Sequence, residues 1–98
     1  MATLHIIAHA LWSDDRLDSC LRILGAKDAL LLCGEAVSGL RPGSETALQL
    51  RAAQLQGRLF ALQEDLYARA ISQDYAKGLD YPGFVELSLY YDKVNSWL

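Results

Sequence analysis

The sequence predicts an α/β fold, a single Rossmann-like three-layer sandwich with a mostly parallel sheet, over residues 1–98. Three observations point to it. Short apolar runs alternate with helical segments in the order β-α-β-α-β-α-β-α, which favours parallel pairing and right-handed crossovers. The runs are apolar throughout rather than alternating, as in strands covered on both faces. Helix-start residues stand between them at Ser13, Ser44 and Asp80, where side-chain oxygens can accept from free helical N–H groups.

Leu4-His5-Ile6-Ile7-Ala8 is the first strand. Ser13-Asp14-Asp15 then forms a capping cluster, its acids near the positive end of a helix dipole. In that helix Leu17, Cys20, Leu21 and Leu24 fall at i, i+3, i+4 and i+7, one amphipathic stripe, and Gly25 is placed to close it. Asp28 leads into a second strand, Ala29 to Cys33, which Gly34 and Glu35 leave at its carboxyl end. Ala36 to Leu40 reads as a helical turn and Arg41-Pro42-Gly43 as a chain reversal. Ser44 caps a helix running to about Gln56, and Gly57 ends it. Arg58 to Leu62 is the third strand, and Glu64-Asp65 opens a short helix. Ile71 to Lys77 is polar and carries no assigned element. Gly78 to Tyr81 reads as a short fourth strand. Asp80 and Pro82 serve as N-cap and early helical proline of a last helix, with Phe84, Val85 and Leu87 inward. The tail, Val94 to Leu98, is apolar and has no element assigned.

A chain of 98 residues buries roughly two-thirds of its extended surface, enough to fold but with little surplus. Hydrophobic residues make up 52%, more than so small a body can hide, which predicts a buried interface with other chains. The net charge is −3 and the nine Lys and Arg residues are scattered. Direct nucleic-acid binding needs a basic face that this pattern does not supply. No basic stretch precedes a long apolar core at the start, and no run approaches the roughly 20 apolar residues of a membrane span. The expected compartment is therefore the cytoplasm, where thiols stay mostly reduced.

In parallel sheets chemistry collects outside the carboxyl ends of the strands, here around Ala8–Trp12, Cys33–Ala36, Leu62–Asp65 and Asp80–Tyr81. No GxGxxG or GxxxxGK[ST] cradle occurs, so nucleotide binding in the usual manner is not expected. No G-x-S-x-G elbow supports a serine triad. His5 and His9 are four apart but have no third ligand nearby, and read as one core and one loop histidine. Neither a metal nor an organic cofactor is expected. Glu35, Glu64, Asp65 and Asp80 all fall near strand ends, and helix capping accounts for the last three. Cys33 ends a core strand, either as a small buried hydrophobe or as a thiol at the active edge. Cys20 is the one candidate for sulfur chemistry, as an accessory persulfide acceptor. Its helical phase points it at the sheet, where burial raises a thiol's pKa and makes it a poor nucleophile. A redox pair of Cys20 and Cys33 has no C-x-x-C spacing behind it.

Read in order, these landmarks resemble the TusB/DsrH family of sulfur-relay subunits. The resemblance runs from Leu4-His5 through Trp12, Leu17-Asp18-Ser19-Cys20-Leu21 and Leu30-Leu31-Leu32 with Gly34-Glu35-Ala36-Val37. It continues through Leu62-Gln63-Glu64-Asp65-Leu66-Tyr67-Ala68-Arg69 and Asp80-Tyr81-Pro82-Gly83-Phe84-Val85-Glu86-Leu87 to Trp97. There are departures. Ala10-Leu11 replace a Ser-Pro pair, the stretch before Asp80 is more polar than the family's fourth strand, and Ala36 and Ala70 stand where glycine is usual, which puts those turns in question. The resemblance implies a DsrEFH-like fold. It implies a cytoplasmic heterohexamer with TusC-like and TusD-like (DsrF- and DsrE-like) subunits, fed by an upstream sulfur-carrier protein and emptied by a downstream TusE-like protein. Persulfide sulfur would pass toward 2-thiouridine at the tRNA wobble position, or, in the DsrH branch, serve sulfur oxidation. The principal acceptor cysteine of such complexes lies on the TusD or DsrE subunit. DsrH subunits carry a cysteine corresponding to Cys20, and some TusB proteins lack it. A stand-alone homo-oligomeric module binding a small ligand at the strand ends is the alternative from a different class.

Overall fold

The computed structural model describes residues 2–8, 16–53, 55, 57–73 and 75–97. Among them five strands form one sheet, in the order β4-β3-β2-β1-β5. They are β1 (Thr3–Ile7), β2 (Ala29–Leu32), β3 (Leu59–Leu62), β4 (Lys77–Leu79) and β5 (Lys93–Trp97). Every pairing among them is parallel, so the sheet is wholly rather than mostly parallel. The helices are α1 (Arg16–Ile23), α2 (Glu45–Ala52), α3 (Gln63–Ala68) and α4 (Tyr81–Tyr90), with a 3-10 helix at Gly34–Leu40. The anticipated His9, Trp12 and Ser13–Asp15 features lie outside the described residues.

β2 and β3 are buried at every position, as their unbroken apolar sequence requires. On one face Ile7, Leu30, Leu32 and Ala61 pack under Cys20 of α1, Leu50 of α2, Leu66 of α3 and Ala36, Val37 and Leu40 of the 3-10 helix. On the other, Leu4, Ala29, Leu31 and Phe60 are met by Phe84, Leu87 and Tyr91, all only partly buried. Full burial of a leucine is worth about 1.5–3 kcal/mol, so the first face supplies most of the fold's driving force.

Several boundaries depart from the sequence reading. α2 stops at Ala52, with Ala53 as its C-cap donating to Gln49 O, because Leu55 must turn back into the core before Gly57, at φ 75°, turns the chain toward β3. Gly25 does not take the left-handed conformation of a helix terminator; its N–H donates to Asp28 Oδ2 at 2.8 Å instead. β4 begins one residue earlier than expected and yields Asp80 and Tyr81 to α4, whose cap forms as anticipated, Gly83 N–H donating to Asp80 Oδ1 at 2.8 Å. Val85 points outward, not inward, since α4 meets the sheet through Phe84 and Leu87, one helical turn apart.

The apolar tail is a fifth strand. It escapes a periodicity search because Lys93, Val94, Asn95 and Ser96 are all exposed, leaving no pattern of burial. Main-chain pairing from Thr3↔Lys93 to Ile7↔Trp97 holds it. The turn at Ala70 keeps a left-handed backbone, φ 52°, without glycine.

Candidate functional site

The carboxyl ends of the strands bring together Ile7, Cys33, Gly34 and Asp65. Gly34 takes φ 55°, and a β-carbon there would lie 3.1 Å from Ala8 O; only glycine lets β2 turn away so close to the end of β1. Its N–H donates to Asp65 Oδ2 at 2.8 Å, and Arg69 Nη1 lies 3.7 Å from Asp65 Oδ1. Asp65 thus ties α3 to the end of β2 rather than capping its own helix, whose N-cap Leu62 makes no side-chain bond. Asp80 is engaged as a cap, while Glu35 and Glu64 are exposed. Among the described residues no three His, Cys, Asp or Glu side chains converge as metal ligands.

The two thiols lie on opposite faces of the sheet, Cys20 in the larger core and Cys33 against the smaller one, so the fold does not pair them. Cys20 is fully buried. Burial, reinforced by the Asp28 carboxylate, pushes its thiol up to about 12. Such a group stays protonated at neutral pH and is a weak nucleophile. Cys33 is half-buried, its Sγ 3.8 Å from Ile7 O; burial and then Asp65 push its thiol up as well.

A third cluster, whose coupling sequence reasoning missed, joins three distant segments. Asp28 accepts from Thr3 N at 2.8 Å and from Gly25 N at 2.8 Å. Its Oδ2 is 3.6 Å from His5 Nε2. On the far side of the ring, Trp97 Nε1–H donates to His5 Nδ1 at 3.1 Å. Burial would raise the Asp28 carboxyl, but the Gly25 and Thr3 amides, with His5, hold it below the usual range. His5 is the core histidine that the sequence reading expected. Its partners were hidden because Trp97 lies 92 positions away.

A cleft of about 470 Å³ opens beside α3 and β4, lined in part by Gln63, Leu66, Tyr67, Ile71 and Gln73. Its volume suits a small molecule, but the Gln73 amide is already spent on Tyr75 N, Ala76 N and Ala76 O, and no charged side chain among the described residues lines it.

A family profile described as DsrH like protein matches residues 9–94. The chain belongs to the DsrH-like family. It is thereby a member of a family of sulfur-relay-related complex subunits. A comparison with curated proteins finds no match. Among solved structures, the crystal structure of the YchN protein from E. coli is similar at a TM-score of 0.77 and 19% identity, covering 99% of this chain and 100% of that one. At that identity the likeness speaks for the fold, the α/β parallel sheet described above. No described helix of this DsrH-like chain is long and apolar enough to cross a membrane.

Proposed function

We propose that this chain is the TusB/DsrH-type subunit of a TusBCD-type sulfur-relay complex serving 2-thiouridine formation at the tRNA wobble position. Its part is to complete the assembly with TusC-like and TusD-like subunits in a cytoplasmic heterohexamer. The sulfur-carrier protein and the TusE-like acceptor act through that complex. The observation that carries this reading is α4. It has ten residues and buries none of them. Tyr81, Val85, Leu89 and Tyr90 are all more than half exposed, Leu89 at 80% and Tyr90 at 81%, on the thinly covered side of the sheet. An apolar surface of this kind marks a protein interface.

In this reading Cys20 is at most an accessory acceptor. A Cys20 thiolate would attack the outer sulfur of a donor persulfide, expelling the donor as its thiolate and becoming a persulfide itself. That step requires α1 to lift from the sheet and the thiol to lose its proton. The presence of Cys20 favours, as second reading, the DsrH branch in sulfur oxidation.

Co-expression with TusC-like and TusD-like chains, followed by size-exclusion chromatography and native mass spectrometry, should give one stable hetero-oligomer. Leu89→Glu should abolish it while leaving the isolated fold within about 0.5 kcal/mol of the parent. A monomer indifferent to both partners sinks the scaffold role. Mass spectrometry after exposure to a persulfide donor tests Cys20 separately, through an adduct of about 32 Da. Loss of 2-thiouridine from tRNA on deletion of the gene separates the thiolation branch from sulfur oxidation.

A further inference from the structure

We propose that His5 is a proton-operated latch on the edge strand β5: the neutral ring holds Trp97 to the sheet, and the protonated ring lets it go. The inference is independent of sulfur transfer and rests on the arrangement of three side chains.

His5 lies in the middle of β1 and is 3% exposed. Its Nδ1 accepts from the Trp97 indole at 3.1 Å. A ring nitrogen that accepts carries no proton, so the neutral ring bears its hydrogen on Nε2. That hydrogen faces Asp28 Oδ2, 3.6 Å away, too far for a good hydrogen bond. Nε2 is buried and finds no hydrogen-bond partner among the described residues. Protonation changes both sides of the ring at once. The added proton goes to Nδ1, the atom that Trp97 needs as acceptor, so two donors then face each other. On the other side the new positive charge stands opposite a carboxylate, and a poor contact becomes an ion pair. The cation therefore meets a carboxylate on one side and an opposing donor on the other.

Among the described residues, the other groups around the ring leave this exchange to Asp28 and Trp97. α1 contributes the Cys20 thiol to the same face of the sheet, and it is neutral. β2 places Leu30 beside His5 and β5 places Asn95 there, neither of which titrates. Tyr91, ahead of β5, packs against the opposite face of the sheet. Asp92 and Lys93 are exposed at the start of the strand.

β5 is built to respond. Trp97 is its one side chain that packs against a core cluster. At the other end the strand is pinned separately, Ala2 N donating to Asp92 Oδ2 at 3.0 Å and Asp92 N to Ala2 O at 3.0 Å. Opening should therefore begin at Trp97 and run back toward Asp92, with the remaining sheet intact.

Nuclear magnetic resonance of the full chain from about pH 8 to pH 5, a range that brackets ordinary histidine titration, tests the latch. The His5 ring nitrogens report tautomer and protonation. The Trp97 indole proton, assigned by its loss in Trp97→Phe, reports the contact. At the alkaline end the Nε2–H tautomer and a protected indole proton are expected. As His5 protonates, indole protection and amide protection at Asn95, Ser96 and Trp97 should fall together, by about five- to tenfold for the loss of one hydrogen bond. His5→Gln, whose amide oxygen can still accept but does not titrate, should show no such step. Should that variant fail to fold, Trp97→Phe serves: its β5 amides should exchange fast at every pH, without a step. The proposal is overturned if His5 protonates while β5 stays protected. It is equally overturned if either variant keeps the parent's acid step, or if His5 stays neutral until the whole chain unfolds.

Discussion

Removing the Asp28 carboxylate should cost the fold more than any other single polar change. The side chain is buried and receives two backbone amides at 2.8 Å, one from Thr3 at the start of β1 and one from Gly25 after α1. Arg58 Nη1 donates to the carbonyls of Gly25 and Asp28, so the turn cannot readily move to find new partners. A hydrogen bond to a charged group contributes about 1.5–3 kcal/mol. Because both bonds share one carboxylate, their losses are not independent, and Asp28→Ala should destabilise by about 3–4 kcal/mol, a large part of the roughly 5–15 kcal/mol that a domain has. Asp28→Asn keeps one accepting oxygen and should lose about 2 kcal/mol. Urea unfolding at neutral pH, followed by circular dichroism, measures both, provided the slope with denaturant is unchanged. The sign with pH is fixed by the direction of the shift. The folded carboxyl ionises below the ordinary aspartate value of about 3.9, so its contribution is complete above that pH and is lost as pH falls through the folded value. The gap between parent and Asp28→Asn should therefore close in acid. An Asp28→Ala variant within about 0.5 kcal/mol of the parent, or an Asn gap that stays constant into acid, would refute the reasoning.

Gly34→Ala combines a left-handed backbone with a β-carbon 3.1 Å from Ala8 O and should cost about 1–2 kcal/mol in thermal or urea unfolding. Ala70→Gly relieves the left-handed strain at φ 52° and should stabilise by about 0.5 kcal/mol after the greater freedom of unfolded glycine is subtracted. Cys20 should resist iodoacetamide at neutral pH until the chain is unfolded, as followed by mass spectrometry. Because its folded thiol ionises near 12 and the ordinary thiol near 9.0, the stability tied to its protonated form is full below that lower value. It is lost as pH rises between the two, and Cys20→Ala should flatten that alkaline decline.

The parts of the fold legible in the sequence are those whose burial leaves a pattern. Ala29–Leu32 and Leu59–Leu62 are apolar at every position because both faces are covered, and the Cys20–Leu21–Leu24 stripe marks the side of α1 that meets the core. Asp80 could be read as a cap because capping is local chemistry. β5 could not, since its first four side chains face solvent and its partner β1 is some ninety residues earlier in the chain. Asp65 illustrates a second limit. Its position at the start of α3 suggests a cap, yet the bond it makes is to Gly34, across the sheet's end, and no local rule contains that partner. The inward phase of Cys20 was legible; the contribution of Asp28 to its elevated pKa was not, because it depends on where the β1-facing turn folds.

The two faces of the sheet point to different duties for the chain. The face under α1, α2, α3 and the 3-10 helix is closed, and the Cys20 thiol lies inside it, protonated and shielded. The face under α4 is unfinished: Ile6, Phe84 and Leu87 are only half-buried there, and the helix that covers them turns Val85 and Leu89 to solvent. Covering such a surface completes burial worth about 1.5–3 kcal/mol for each large apolar side chain fully enclosed, so a partner gains where the isolated chain cannot. The buried Cys20 thiol and the open apolar surface of α4 thus fall on opposite sides of one sheet. The latch at Trp97 sits at the sheet's edge, on the closed face. Because Asp92 pins the start of β5 to Ala2, release of the strand's far end need not disturb α4, and an acid response at the edge can coexist with a docking face that stays in place.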